Sequence, residues 1–328
     1  MVSFSSFLAH RLDCTLAVIL AVVALGEPGR AANQLILPLR SNDVVALVGS
    51  AALVAEQRSG ELETALLRTH PELHLHVQNF AWEGDTASNQ PREVNYPSLS
   101  RLLKEHHATI TFVQFGQSEA IASPNGQAEF RRDYLRLLDE LASVTPRLVL
   151  VTPTRLETLA PPLPPLSLQN AELSRYVAVI LEVATQRQLP IIDLYHLAPE
   201  KPLTTDGRQL SLDGRATVAL AFVRGVLPPN AAALKTVPTD AARWFAQPEL
   251  RTLREAVVAK NQLWFNYVRP TNWAFLAGDR TEQLSSRDHR DRSVRWFPTE
   301  MEQFVPLLRD AEHRLDQLSA IPSASETR

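Results

Sequence analysis

The chain is predicted to form an α/β fold, a three-layer, doubly wound, parallel five-stranded sheet. Two observations point to it. Five short apolar runs recur between residues 43 and 195, and segments of helical periodicity lie between them. Strands that alternate with helices connect by right-handed crossovers, and such connections build parallel sheets. A third observation sets the order. The second run alternates apolar and polar residues, which marks an edge strand, and a flavodoxin-like order follows, with ligands expected at the carboxyl ends of the strands.

The elements follow in order. "DVVALV" at 43–48 is apolar without alternation, as a central strand covered on both faces should be. "LHLHVQN" at 73–79 turns Leu73, Leu75 and Val77 one way and His74, His76 and Gln78 the other. "TITFVQF" at 109–115, "RLVLVTP" at 147–153 and "PIIDLY" at 190–195 complete the set. Between them, Phe130, Tyr134, Leu137, Leu138 and Leu141 recur at three- and four-residue spacing, so one helix face is buried, and 170–187 behaves likewise. The α/β domain is placed at 40–228. A proline-rich linker at 229–240 then leads to a helix-rich extension at 241–318, which carries four of the five tryptophans and should pack on the domain. The tail at 319–328 is small and polar, as a disordered segment would be.

Composition narrows the function. Lys+Arg 33 against Asp+Glu 36 gives a formal net charge of -3, so no basic excess exists to neutralise a nucleic-acid backbone. At the N-terminus, His10 and Arg11 precede the apolar run 14–26, and small residues follow. Residues 1–32 therefore read as a signal peptide or an uncleaved N-terminal anchor, with a periplasmic or extracellular destination. The sole cysteine, Cys14, lies inside that run, so an exported mature chain would hold neither a disulfide framework nor a thiol nucleophile. Membrane association is expected only through an uncleaved N-terminal segment.

Chemistry in such a fold sits where strands end. "GSA" follows the first strand, "NFAWEGDT" the second, "GQSEA" the third, and "TDGRQLSLDG" lies beyond the fifth. This series, over about 43–226, resembles the SGNH (GDSL-type) hydrolase family in order and spacing. The family's blocks read Gly-Asp-Ser with a serine nucleophile, then an oxyanion-hole glycine, then Gly-x-Asn-Asp, then Asp-x-x-His with a general base. The resemblance implies an ester hydrolase on this scaffold and sets Gly49 at the first glycine, Ser50 at the Asp and Ala51 at the nucleophile. Gly84 falls on the oxyanion glycine within an intact Gly84, Asp85 and Thr86. Gly116 matches, Ser118 stands for the Asn, Asp206 matches, and Gln209 stands for the His.

Three working side chains are thus replaced. Ala51 has no hydroxyl to attack a carbonyl, the Gln209 amide is not a usable base, and Ser118 reaches less far than Asn. Losing a triad costs roughly a millionfold, about 8 kcal/mol of transition-state stabilisation. The expectation is an SGNH-like protein without ordinary esterase activity that binds a glycan-like or small-molecule ligand, or a protein partner through its C-terminal aromatic segment. The alternative is an ester hydrolase on a carbohydrate or lipid ester with a rearranged site, Ser50 served by His196 and His196 oriented by Asp193. The plainer reading has Ser50 capping the first helix and His196 in a loop. The phrases "GELETALL" at 60–67, "WEGDT", and "LREAVVAKNQLWFNYVRPTNWAFLAGDRTEQ" at 253–283 resemble an exported SGNH-like group of planctomycete-type bacteria.

Other candidates have plainer readings beside them. His74 and His76 could begin a metal site, though no third ligand is evident and a wet edge strand explains them. No metal or cofactor is expected. Glu83 and Asp85, with Glu119 opposite, could serve as acid and base, but Asp85 is expected to hold backbone amides and Glu119 to be structural. Gly49, Ser50, Gly84, Asp85, Gly116 and Glu119 are expected to line a ligand cleft. Trp264, Tyr267 and Trp273 either stack on sugars or anchor the extension. The alternating charges of 287–295 read as a solvated ion-pair face.

Overall fold

The structure, a computed structural model, describes residues 39–227 and 237–321. Residues 1–38, which include the expected signal peptide or anchor at 1–32, most of the linker at 229–240 and the tail beyond 321 lie outside the described residues. Five parallel strands form one sheet in the order β2-β1-β3-β4-β5, the flavodoxin-like arrangement. They are β1 (Val44–Gly49), β2 (His76–Asn79), β3 (Ile110–Gln114), β4 (Leu148–Val151) and β5 (Ile191–Ile192). β1 matches its run in length, shifted by one residue, while β2 to β5 are shorter than theirs, because the flanking residues turn away to form loops. The second run departs most. Pro71–Leu73 forms a 3₁₀ turn and His74 takes a left-handed conformation (φ 49°), so His74 and His76 do not share a strand face.

Alternation along the strands divides the core. Val45 and Leu47 of β1, with Ile110 and Phe112 of β3, face α1 (Ala51–Ser59), α2 (Glu61–Thr69) and α7 (Leu212–Val226). Ala46 and Val48, with Val113, face α3 (Leu99–Glu105), α5 (Gln127–Ala142) and α6 (Ser167–Arg187). Between β3 and α5 lies the short α4 (Gln117–Ala122). The helices begin where the sequence supplies side-chain acceptors: Ser98 accepts from the Arg101 N–H, and Ser211 from the Gly214 N–H.

The C-terminal extension joins the same core. It comprises α8 (Ala241–Phe245), α9 (Pro248–Val268), three 3₁₀ turns, α10 (Trp296–Met301) and α11 (Phe304–Ser319). Trp244, Leu250, Leu253 and Val257 belong to the apolar cluster that covers β1 and β2. α9 closes the outer edge of β2. Lys260 Nζ donates to the Val77 carbonyl at 2.6 Å, and four residues on, Trp264 Nε1 donates to the Asn79 carbonyl at 2.8 Å. These carbonyls, two residues apart, have no strand beside them, and the one-turn spacing of a helix matches the two-residue spacing of a strand edge.

Charge follows the same line. Lys260 and Glu63 pair at 2.7 Å, both almost fully buried, and Arg254 reaches Glu61 at 2.9 Å. Burial pushes the Glu63 carboxyl above its ordinary value, and the Lys260 ammonium opposes that push. Gly60 precedes α2 at φ 73°, and a Cβ there would meet Val257 at 3.0 Å. "GELETALL" and the start of the 253–283 segment are thus two sides of one interface. Farther along, His76 pairs with Glu312 and His74 with Asp316, both on α11.

Removing one partner of a buried pair leaves a charge with no compensation. Lys260→Met is expected to lower the unfolding free energy in urea by about 3–5 kcal/mol. Adding Glu63→Gln to that variant should recover part of the loss.

Candidate functional site

At the carboxyl ends of β1, β3 and β4 lies a pocket of about 410 Å3. Ala51 and Gln209, from blocks 158 positions apart, both line it, together with Gln114, Gln117, Thr154 and Leu194. Ala51 opens α1, which leaves β1 through Gly49 and Ser50. A Cβ on Gly49 would stand 2.5 Å from the Gln114 carbonyl, so only glycine lets β1 run this close to β3. On the other wall, the Asp206 carboxylate accepts from the Arg208 N–H at 2.9 Å and the Gln209 N–H at 2.7 Å. Those two amides hold Asp206 below its ordinary value. The turn thereby presents Gln209, with an exposed side chain, toward Ala51.

Other site residues have structural duties. Ser50 is the N-cap of α1 by backbone position, but its hydroxyl makes no cap hydrogen bond, contrary to expectation; it faces the Ser118 hydroxyl at 3.5 Å. The first strand–helix turn is instead closed by the Ser50 carbonyl, which accepts from Leu53 and Val54. Glu119 accepts from the Gly116 N–H and the Ala87 N–H, both at 2.8 Å, and so clamps the second block to the third. Burial raises its carboxyl even so. Asp85 holds no backbone amide among the described residues. It is 2% exposed and takes a bidentate pair from Arg92 at 2.7 and 2.8 Å, a better match for a buried carboxylate than single amides. Gly84 is exposed, and a Cβ there would meet nothing.

None of the residues expected to line the cleft, Gly49, Ser50, Gly84, Asp85, Gly116 and Glu119, lines this pocket among the described residues; Glu83, beside Gly84, does. His196 sits in the turn after β5, largely exposed, and Asp193 Oδ2 holds its Nδ1 at 2.6 Å. No hydrogen bond joins His196 to Ser50 among the described residues, and no histidine, serine or cysteine lines the pocket.

Sequence reasoning passed over the arginines. Arg58, Arg208 and Arg215 all line the pocket. A signal existed: Arg58 follows Ala51 and Ala55 at four- and then three-residue spacing, on one helix face, and Arg208 immediately precedes Gln209. Arg215 is engaged by the Leu210 carbonyl and lies 3.6 Å from Glu61. Glu56, also at the pocket, is buried, and that burial pushes its carboxyl up to about 7, although the Leu62 N–H donates to it.

The aromatic segment divides. Trp264 is buried and Tyr267 half-buried, ringed by His106 and Phe304. Trp273 is 43% exposed and rims a second pocket of about 540 Å3 with Tyr96, Phe265, Arg92 and Arg269. There the guanidiniums of Arg92 and Arg269 stand 3.9 and 4.0 Å from the Trp82 ring, and Arg269 pairs with Glu83. In 287–295, Asp288 and Asp291 cap local turns, while Arg295 reaches the Phe275 and Leu276 carbonyls rather than solvent.

The fold has counterparts among solved structures. A gut microbial diltiazem-metabolizing enzyme, BT4096, shares 11% identity over 88% of this chain and 96% of its own, with a TM-score of 0.54. The acetylxylan esterase Axe2 from Geobacillus stearothermophilus matches at 16% identity over 58% of this chain and 96% of its own, TM-score 0.42. A GDSL-like lipase from Parabacteroides merdae matches at 13% over 58% and 98%, TM-score 0.44. At these identities the likeness is one of fold, a parallel α/β sheet between helical layers. No family model and no curated protein matches the chain.

The Glu56 carboxyl titrates near 4.5 when exposed and near 7 when folded. Below the first value it is protonated in both states; above the second, the folded state alone bears a buried charge. Stability therefore falls as pH rises through that window, by on the order of 3 kcal/mol. Glu56→Gln should gain stability relative to the parent between pH 5 and 8, read as a widening difference in thermal midpoint; a constant difference would contradict the assignment.

Proposed function

We propose that this chain is an exported SGNH-type protein that binds a ligand without ordinary ester hydrolysis. The observation that supports it most is the pairing of Ala51 with Gln209 across the pocket at the strand ends. A serine hydrolase needs an attacking oxygen and a proton acceptor at that place, and neither a methyl group nor a neutral amide supplies them. What persists is a shaped cavity in the volume range of small-molecule sites, walled by Leu53, Leu62, Leu194 and Phe222 with a few polar groups among them. The ligand is glycan-like or small. Trp273, exposed on the rim of the second pocket, offers an aromatic surface where the same ligand or a protein partner could continue. Membership of the SGNH superfamily rests on the order of the four blocks along this fold. Export, to the periplasm or beyond the cell, rests on the apolar run at 14–26.

A second reading has one observation in its favour. The Asp193–His196 pair is the orienting arrangement a general base requires. Against it, the Ser50 hydroxyl has Ser118 and no imidazole beside it.

The purified chain is expected to hydrolyse p-nitrophenyl acetate no faster than its Ser50→Ala variant. Turnover that Ser50→Ala abolishes would establish the second reading. Installing Ala51→Ser, Ser118→Asn and Gln209→His together should restore measurable esterase activity; a folded triple variant with none would refute the alignment of the blocks.

A further inference from the structure

The strand-end pocket is rich in donors that the protein leaves unused. Arg58 and Arg208 make no ion pair and no side-chain hydrogen bond among the described residues; Glu83 and Asp206 feel their charge only at longer range. The Gln117 and Gln209 amides are likewise without side-chain partners, as is the hydroxyl of Thr154, a residue only 9% exposed. The acids at the pocket are already occupied. Glu83 is held by Arg269 at 3.0 Å, and Glu56 accepts from the Leu62 N–H beneath the wall.

A guanidinium only donates, and its planar fork matches a carboxylate or phosphate through two parallel hydrogen bonds. Amides and hydroxyls both donate and accept, so they suit the hydroxyl groups of a polyol. Two unpaired guanidiniums beside two free amides and a buried hydroxyl therefore describe a ligand with both kinds of group. We infer that the cleft takes an acidic sugar, a saccharide unit bearing a carboxylate or a phosphate, with its oxyanion between Arg58 and Arg208 and its hydroxyls against Gln117, Thr154 and Gln209. This deepens the non-hydrolytic reading above and rests on it.

Glucose, glucuronate, glucose 6-phosphate and inorganic phosphate form a matched set of probes for isothermal titration on the full chain. Either acidic sugar is expected to bind at least about tenfold tighter than glucose and than bare phosphate, with affinity falling as salt rises. Which of the two acids binds tighter identifies the oxyanion. Arg58→Ala and Arg208→Ala should each weaken the acidic sugar about tenfold while leaving the thermal midpoint unchanged, since both side chains are exposed and unpaired. Glucose binding as tightly as its acids, phosphate binding as tightly as glucose 6-phosphate, no binding by any probe, or indifference to both arginine changes would overturn the inference. The non-hydrolytic reading fails on a different readout, ester turnover that depends on Ser50.

Discussion

The sheet of this protein depends on a helix that its own α/β layers do not supply. An exposed strand edge is a row of unpaired carbonyl and amide groups, and proteins must cover or blunt it. Here Lys260 and Trp264 meet the Val77 and Asn79 carbonyls one for one. The ammonium that makes the first of these bonds would be ruinous if buried alone, and Glu63 on α2 answers it. Edge closure, helix docking and charge compensation are thus one device, and Gly60 makes room for it where α1 hands over to α2. The strand-end cleft sits a few residues away along the same α1, so a side chain of that helix can serve both surfaces. Arg58 does so, lining the strand-end pocket and the groove toward Arg254.

The backbone of the cleft is held by constraints of its own. Its backbone features have steric reasons to stay: Gly49 is demanded by the neighbouring strand, Glu119 ties two loops together, and Asp206 folds its turn. None of these depends on a hydroxyl at 51 or an imidazole at 209. A reactive centre is a small set of side chains resting on a much larger set of geometric constraints, and the two can change independently.

The same distinction explains what could be read from the chain beforehand. The five strands, their order and the buried faces of α5 and α6 follow from apolar spacing, which reflects burial directly. Strand ends were overextended, as at 73–75, because apolar residues that flank a strand are buried by turns as readily as by sheets; His74 shows this in its left-handed backbone. At the cleft, block order located Ala51 and Gln209, but partners chosen in three dimensions were out of reach. Asp85 selects Arg92 over backbone amides, and Ser50 turns to Ser118 over its own helix. The arginines were hardest to see, since a charged residue on an amphipathic helix reads as solvated surface until a second helix or loop brings another beside it.

The contact between β2 and α9 also bears on how the chain comes to be folded. Val77 and Lys260 are 183 positions apart, so the loop they close is among the longest the molecule contains, and forming it late is entropically natural. Until α9 has emerged and docked, every nascent or truncated chain carries β2 with its outer side open. The α/β layers are consequently not a portable module. A fragment ending before residue 248 would keep all five strands and leave the Val77 and Asn79 carbonyls without their donors.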